Sequence, residues 1–437
     1  MSDHTELSRR DFARLLSLTG VAALMPARAF AQRGATIGDL GLTSAPLRRT
    51  PLDPDEKFWK EVRSRFLVPP DLGFINAANL CPTSLPVIEA LEKNTREYEA
   101  LPGGGVRTRL SHEREDARTL LAEALRVTPE EIVITRNTSE GNNYISSGIQ
   151  LGPNDEVLVW GDNHPSNLAA WNDKAKRFGF TVVTVPVVNP HPGTEAFVDA
   201  FRRAITSKTK VMAFTHVSSN SGDLLPAAEL CKMAREHNVL SLVDGAQSFG
   251  VLDVDLKTMA PDFYTGSFHK WPCGPKETGV LFVNKEVQDR IWASVISLYA
   301  GSVGISKKLE GNGQRDDAAL AAVGEALRFQ KNIGRDVIER RTRALAQHLI
   351  DELKRTNGVT MHTHTDPSRS AGIVIFKPGS LDPRKLATAL SEKDRIVITA
   401  RGGADRPGLR FSPHFFNTME EIDRSVSAIR KYLVSGV

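Results

Sequence analysis

Seven short apolar runs, rich in β-branched and aromatic residues, punctuate the chain and decide its fold class. They are Glu131–Thr135, Glu156–Trp160, Thr181–Val187, Val211–His216, Ser241–Val243, Phe263–Gly266 and Gly279–Val283. Helix-like stretches separate several of them, at Asn167–Arg177, Val198–Ile205 and Ala227–Glu236. Strands that lack polar alternation are buried on both faces, and crossover helices keep neighbouring strands parallel. The order predicts an α/β domain, a mainly parallel seven-stranded sheet with helices on both faces. The connection between the last two runs is too short for a crossover, so one of that pair is expected to run antiparallel.

A glycine-rich link, Gly301–Gly313, precedes a different pattern. Long helical stretches from Asp317 to about Lys331 and from Asp336 to about Arg355 lead to short strands near Ala371–Phe376, Arg395–Thr399 and Leu409–Ser412. A helix from Met419 to Val434 closes the chain. Segregated helices and strands predict a smaller α+β C-terminal domain. The expected division is an N-terminal arm over 32–70 with a short helix around Phe58–Phe66, a large domain over 71–305 and a small one over 306–437.

The first 31 residues read as a leader rather than as part of the fold. Ser8-Arg9-Arg10-Asp11-Phe12 is a twin-arginine pattern, an apolar stretch runs from Leu15 to Met25, and Ala29-Phe30-Ala31 offers small residues to a signal peptidase. That stretch is too short for a membrane span. The expectation is a partnership with the twin-arginine export machinery, cleavage after Ala31 and a periplasmic protein without stable membrane anchoring. Export of an already folded chain allows a cofactor to be loaded beforehand. The formal net charge of +4 is spread without a long basic run, which gives nucleic-acid binding little support. Three cysteines, Cys81, Cys231 and Cys273, cannot build a disulfide framework and are expected as buried thiols.

The chemistry concentrates where strands end. Thr265-Gly-Ser267-Phe268-His269-Lys270-Trp271 follows one strand, and Val243-Asp244-Gly245-Ala246-Gln247 follows another. Taken singly, such a lysine is a surface charge and such an aspartate a helix cap. Together they are a toolkit for pyridoxal phosphate (PLP). The Lys270 amine can form a Schiff base, Ser267 and His269 can grip a phosphate, and Asp244 can keep a pyridine nitrogen protonated. Gln247 can donate to the ring's phenolic oxygen. Thr135-Arg136-Asn137-Thr138-Ser139-Glu140-Gly141 joins a strand to a helix, whose free N–H groups and positive dipole end favour a dianion. His164, in a loop after the strand ending at Trp160, can stack on a ring. His362 and His364 alternate like metal ligands, but no acid or cysteine cluster accompanies them, and no metal site is expected.

This pattern resembles the class V aminotransferase group of fold-type I PLP enzymes, with its cysteine desulfurases, isopenicillin N epimerase-like proteins and kynureninase relatives. The matching segments extend from Phe74-Ile75-Asn76-Ala77-Ala78 to Arg410-Phe411-Ser412-Pro413-His414-Phe415-Phe416-Asn417-Thr418. The resemblance implies Lys270 as the Schiff-base lysine, Asp244 as the pyridinium partner, Gln247 at the ring oxygen and His164 on the ring face. It implies Thr138, Ser139, Ser267 and His269 around the phosphate, Arg410 as the clamp on a substrate α-carboxylate, and Asn79 at the substrate. It further implies a homodimer in which Gly313-Gln314-Arg315-Asp316 approaches the neighbouring phosphate, with Gln314 in place of a threonine. Ser219 or Asn220 takes the place of an asparagine near the ring. Cysteine desulfurases carry a nucleophilic loop cysteine where Arg401–Pro407 has none, so sulfur transfer is not expected. Gly313–Asp316 and Phe268–Trp271 look closest to the isopenicillin N epimerase-like branch.

The expectation is an exported PLP-dependent enzyme working at the amino group of an amino acid or peptide-like metabolite. Transamination is favoured over epimerisation because no second base is identified. Tailoring of an exported peptide such as a siderophore is an alternative. A catalytically silent PLP-fold binding protein fits poorly with Lys270, Asp244 and Arg410 all in place.

Overall fold

The computed structural model describes residue 45 and residues 47–401 and 406–437. The twin-arginine leader and its cleavage point lie outside the described residues. The strands are β1 (Gly73–Phe74), β2 (Ile132–Thr135), β3 (Glu156–Trp160), β4 (Thr181–Val185), β5 (Thr209–Thr215), β6 (Leu240–Asp244), β7 (Phe263–Ser267), β8 (Gly279–Val283), β9 (Val359–Met361), β10 (Val374–Pro378), β11 (Ile396–Val397), β12 (Thr399–Arg401) and β13 (Gly408–Phe411).

β2 to β8 form one seven-stranded sheet in the order β2-β8-β7-β6-β5-β3-β4. β8 is antiparallel to both β7 and β2, and the other pairings are parallel. The short Phe268–Thr278 connection leaves the chain no room to cross back, as expected for the last two strands. Along β5, Val211 and Ala213 enter one apolar cluster while Met212 and Phe214 enter another. Successive side chains on a strand point to opposite faces, so both faces of the sheet are covered. This is the α/β fold the apolar runs predict.

β12, β13, β10 and β9 form a four-stranded antiparallel sheet in that order, and β1 pairs with β11 in parallel. The core of this second unit joins Leu345 and Leu349 of helix Arg335–Lys354, Val374 and Phe376 of β10, and Ile422 and Ile429 of helix Met419–Ser435. The closing helix starts at a capping box, Thr418 with Glu421, which satisfies its first free N–H groups. Helix Asp317–Ile333 behaves differently. Its Ala322, Val323, Ala326 and Phe329 join the core of the large sheet, and it packs along helices Gly104–Leu125 and Leu85–Ala100. Among the described residues no helix is long and apolar enough to cross a membrane.

Candidate active site

The chemistry-bearing loops all leave the C-terminal ends of parallel strands, the edge where open α/β sheets bind ligands. Asp244 ends β6, Ser267 ends β7, Asn137 follows β2 and His164 follows β3. Between them lies a cavity of about 280 Å3, whose walls include Asn79, Thr138, Ser139, His164, Asp244, Gln247, Ser267, His269, Lys270 and Arg401. Nine of these ten are residues singled out in the sequence. Arg401 is not.

Asp244 is 2% exposed. Its Oδ2 accepts from Asn142 Nδ2 at 2.9 Å and its Oδ1 accepts from the Ala246 N–H at 3.1 Å. Asn142 is fixed in turn by Thr265, whose hydroxyl donates to Asn142 Oδ1 at 3.0 Å. Gly245 makes the turn possible. A Cβ there would stand 2.1 Å from Tyr264 Cζ, so the backbone passes over that ring only without a side chain.

Lys270 makes no side-chain hydrogen bond or ion pair among the described residues. Burial pushes its ammonium down to about 8; Asp244 opposes this, while the charges of Arg410 and Arg401 add to it. A useful fraction of neutral, nucleophilic amine thus exists near neutral pH. His164 caps helix Pro165–Phe178, its Nδ1 accepting from the Ser166 N–H at 3.2 Å. Burial takes His164 down to about 4, with the Lys270 charge reinforcing the effect, and His269 falls to about 4 for the same two reasons. Both imidazoles are therefore neutral at pH 7.

At the other end of the cavity, helix Thr138–Gly148 presents its N-terminus. The Thr138 N–H donates to Ser267 Oγ at 2.9 Å, and the two hydroxyls meet at 2.7 Å. Two hydroxyls, helix N–H groups and a neutral imidazole make a cradle for a phosphate. An unpaired amine and an anchored carboxylate stand at the same cavity. This donor set fits PLP: Thr138, Ser139, Ser267 and His269 would hold its phosphate, Asp244 its ring nitrogen and Lys270 its aldehyde carbon.

Gln247 is more committed than its sequence role suggested. Its Oε1 accepts from Trp271 Nε1 at 2.8 Å and its Nε2 donates to the Ala78 carbonyl at 2.9 Å, leaving one amide hydrogen toward the cavity. Behind it, His414 Nε2 donates to the Trp271 carbonyl at 2.6 Å, and the Thr342 hydroxyl lies 3.2 Å from His414 Nδ1. This buried chain ties helix Arg335–Lys354 to the lysine turn. Asn142, Trp271 and His414 carry no sequence signal for these jobs beyond lying inside the matching segments.

Three sequence candidates are not brought into the cavity wall. Arg410, fully buried on β13, donates to the Ser219 carbonyl at 3.2 Å and approaches Asn76 Oδ1 at 3.5 Å. It stands close enough for its charge to act on Lys270 and His164. Ser219 contributes that carbonyl, and Asn220 donates to Asp162 Oδ1 at 2.9 Å. Gln314 lies in a separate surface groove with Tyr299 and accepts from Arg107 Nη2 at 2.9 Å. His362 and His364 sit just after β9, where His362 Nε2 lies 3.3 Å from the Pro407 carbonyl and His364 Nδ1 accepts from the Asp366 N–H. All three cysteines are buried and free, with Cys81 Sγ and Cys273 Sγ 3.4 Å apart behind the lysine turn.

Comparison with known proteins agrees with this geometry. The profile of the family described as "Aminotransferase class-V" matches residues 76–424. Isopenicillin N epimerase of Streptomyces clavuligerus is 29% identical, over 85% of this chain and 97% of its own length. A probable cysteine desulfurase of Halalkalibacterium halodurans is also 29% identical, over 82% of this chain and 93% of its own. Among solved structures, a lysine-to-alanine mutant of C-DES with glycine covalently linked to the PLP cofactor superimposes with a TM-score of 0.77 at 24% identity. It covers 86% of this chain and 99% of that one, and shows the shared fold. The chain belongs to the class-V aminotransferase family of PLP-dependent enzymes.

Proposed function

We propose that the protein moves the amino group of an amino acid or peptide-like metabolite, by transamination. One observation carries the reading: the unpartnered, depressed Lys270 amine opens into the same cavity as the anchored Asp244 carboxylate. PLP, when bound, would supply an electron sink that draws electrons away from the substrate Cα. Lys270 then accepts the α-proton and delivers it again. Delivery away from Cα, followed by hydrolysis of the substrate's C–N linkage by water, would release a keto acid and leave the amino group behind. Asp244 would hold the ring nitrogen protonated, His164 would cover a ring face, and Arg410 would fix a carboxylate. Two neutral imidazoles with pKa values about 4 are weak bases, so Lys270 is the natural proton carrier in the cavity.

Incubating the yellow holoenzyme with single amino acids, without a keto acid, tests this. Bleaching of the cofactor band with release of a keto acid is the expected result. Exchange of the α-proton for solvent deuterium without keto acid would instead support epimerisation, the reading favoured by the kinship with isopenicillin N epimerase. Turnover of an exported peptide, with silence toward free amino acids, would support peptide tailoring. Sulfur release from cysteine is not part of the proposal, because Arg401–Pro407 contains no cysteine.

The proposal includes export through the twin-arginine route, with a mature N-terminus at Gln32, which sequencing of the periplasmic protein tests. It also includes a homodimer. Trp292, Ile296, Leu298 and Tyr299 are 68%, 88%, 101% and 64% exposed in the single chain, and Tyr299 borders the groove that holds Gln314. Such an apolar run suits a subunit interface. Light scattering at twice the mature chain mass is the expected result.

A further inference from the structure

β12 and β13 pair antiparallel with Thr399 opposite Arg410 and Arg401 opposite Gly408. Side chains two apart on a strand share a face, so Arg401 and Arg410 are diagonal neighbours on one face of this sheet. Like charges in that relation repel, and burial raises the cost. Arg410 spends two of its donors on the Ser219 carbonyl and Asn76, and its Nε has no partner. The Arg401 side chain has no hydrogen bond or ion pair among the described residues; its Nε is buried and unpartnered, and it lines the cavity beside Lys270. Asp162 is the acid that acts on Arg401, and it already accepts from Ser218, Asn220 and Ser221. The Arg401 guanidinium therefore stands in the cavity wall with that of Arg410 behind it on the same sheet face, and neither is closed by a carboxylate.

We propose that Arg401 is a second anion-binding residue of this site and that the substrate is a short amino acid with two carboxylates. Arg410 takes the α-carboxylate, and the fork of Arg401 takes the distal one. A cavity of about 280 Å3 that must also hold the cofactor keeps this diacid short. The inference rests on the reading of the cavity as an amino-acid site, and it gives that site its substrate class.

The test uses holoenzyme and inert ligands first. Isothermal titration should show glutarate binding about 10- to 100-fold more tightly than butyrate, the range of a charged hydrogen-bonded pair. Arg401→Gln should abolish that preference, and Arg401→Lys should keep part of it, with circular dichroism confirming that both variants are folded. The kcat/KM ratio of glutamate over glutamine, or aspartate over asparagine, should fall by a similar factor in Arg401→Gln. Equal binding of glutarate and butyrate by the wild type, or an unchanged preference in Arg401→Gln, would overturn the proposal. If no amino acid alters the cofactor spectrum while glutarate preference still depends on Arg401, the transamination reading fails and the subsite stands. If neutral and acidic amino acids react equally well, the subsite fails and the reading stands.

Discussion

Asn142 Nδ2 donates to Asp244 Oδ2 at 2.9 Å, from a helix whose other end of interest is the phosphate cradle at Thr138. One element thus sets both the carboxylate and the anion grip, and with them the distance a cofactor must span. Removing Asn142 leaves a buried carboxylate oxygen without its donor, which costs about 1–3 kcal/mol. Asn142→Ala should lower kcat about 10- to 100-fold with little change in KM. Asp244→Asn, which removes the charge itself, should cost more. Steady-state kinetics on both variants check the order.

Cofactor capture should follow the Lys270 amine. Its pKa of about 8 means that the neutral fraction rises about tenfold between pH 7 and pH 9 and then levels. The initial rate of PLP uptake by apoprotein, followed by absorbance, should trace that curve. A rate that kept rising toward the ordinary lysine value of 10.5 would mean that the amine is not depressed.

Gly245→Ala should destabilise the fold by about 1–3 kcal/mol, because the new methyl group meets the buried Tyr264 ring and neither neighbour can move freely. Urea unfolding measures it. Tyr264→Phe would not relieve the clash, since Cζ itself is the contact.

His414 gives stability a pH dependence of predictable sign. Its folded pKa is about 3, against an ordinary 6.5, because burial penalises the charged ring, and the bond from Nε2 to the Trp271 carbonyl opposes the shift only in part. Between those values the unfolded chain binds the extra proton, so stability is full above pH 6.5 and falls as pH drops toward 3. The slope from this one group is at most about 1.4 kcal/mol per pH unit. His414→Gln should flatten the decline between pH 6.5 and 5 in denaturant titrations, at some cost in stability at pH 7.

The fold was legible because parallel strands buried on both faces leave unbroken apolar runs such as Val157–Trp160 and Val211–Phe214. Helix Gly104–Leu125 was not, since its buried stripe is thin (Leu110, Ala117, Leu121, Leu125) among many charged residues. The segment near Arg395–Thr399 reads as one strand yet splits into β11 and β12, because β11 leaves to pair with β1. At the site, residues at strand ends announce themselves by type and place, and nine of them meet at one cavity. Asn142 and His414 act through partners far away in the chain, and Arg401 reaches the cavity from a different domain's strand; spacing carries no trace of such relationships. Gln314 marks another limit: within one chain it faces Arg107 at the surface rather than the cavity.

Lys270 is the residue proposed to carry the cofactor. Borohydride reduction of the yellow holoenzyme, followed by digestion and mass spectrometry of peptides, tests it directly. One pyridoxyl adduct per chain is expected, on the peptide containing Lys270, and none in Lys270→Ala. A colourless protein, or an adduct on Lys276 or any other lysine with Lys270 unmodified, would contradict it.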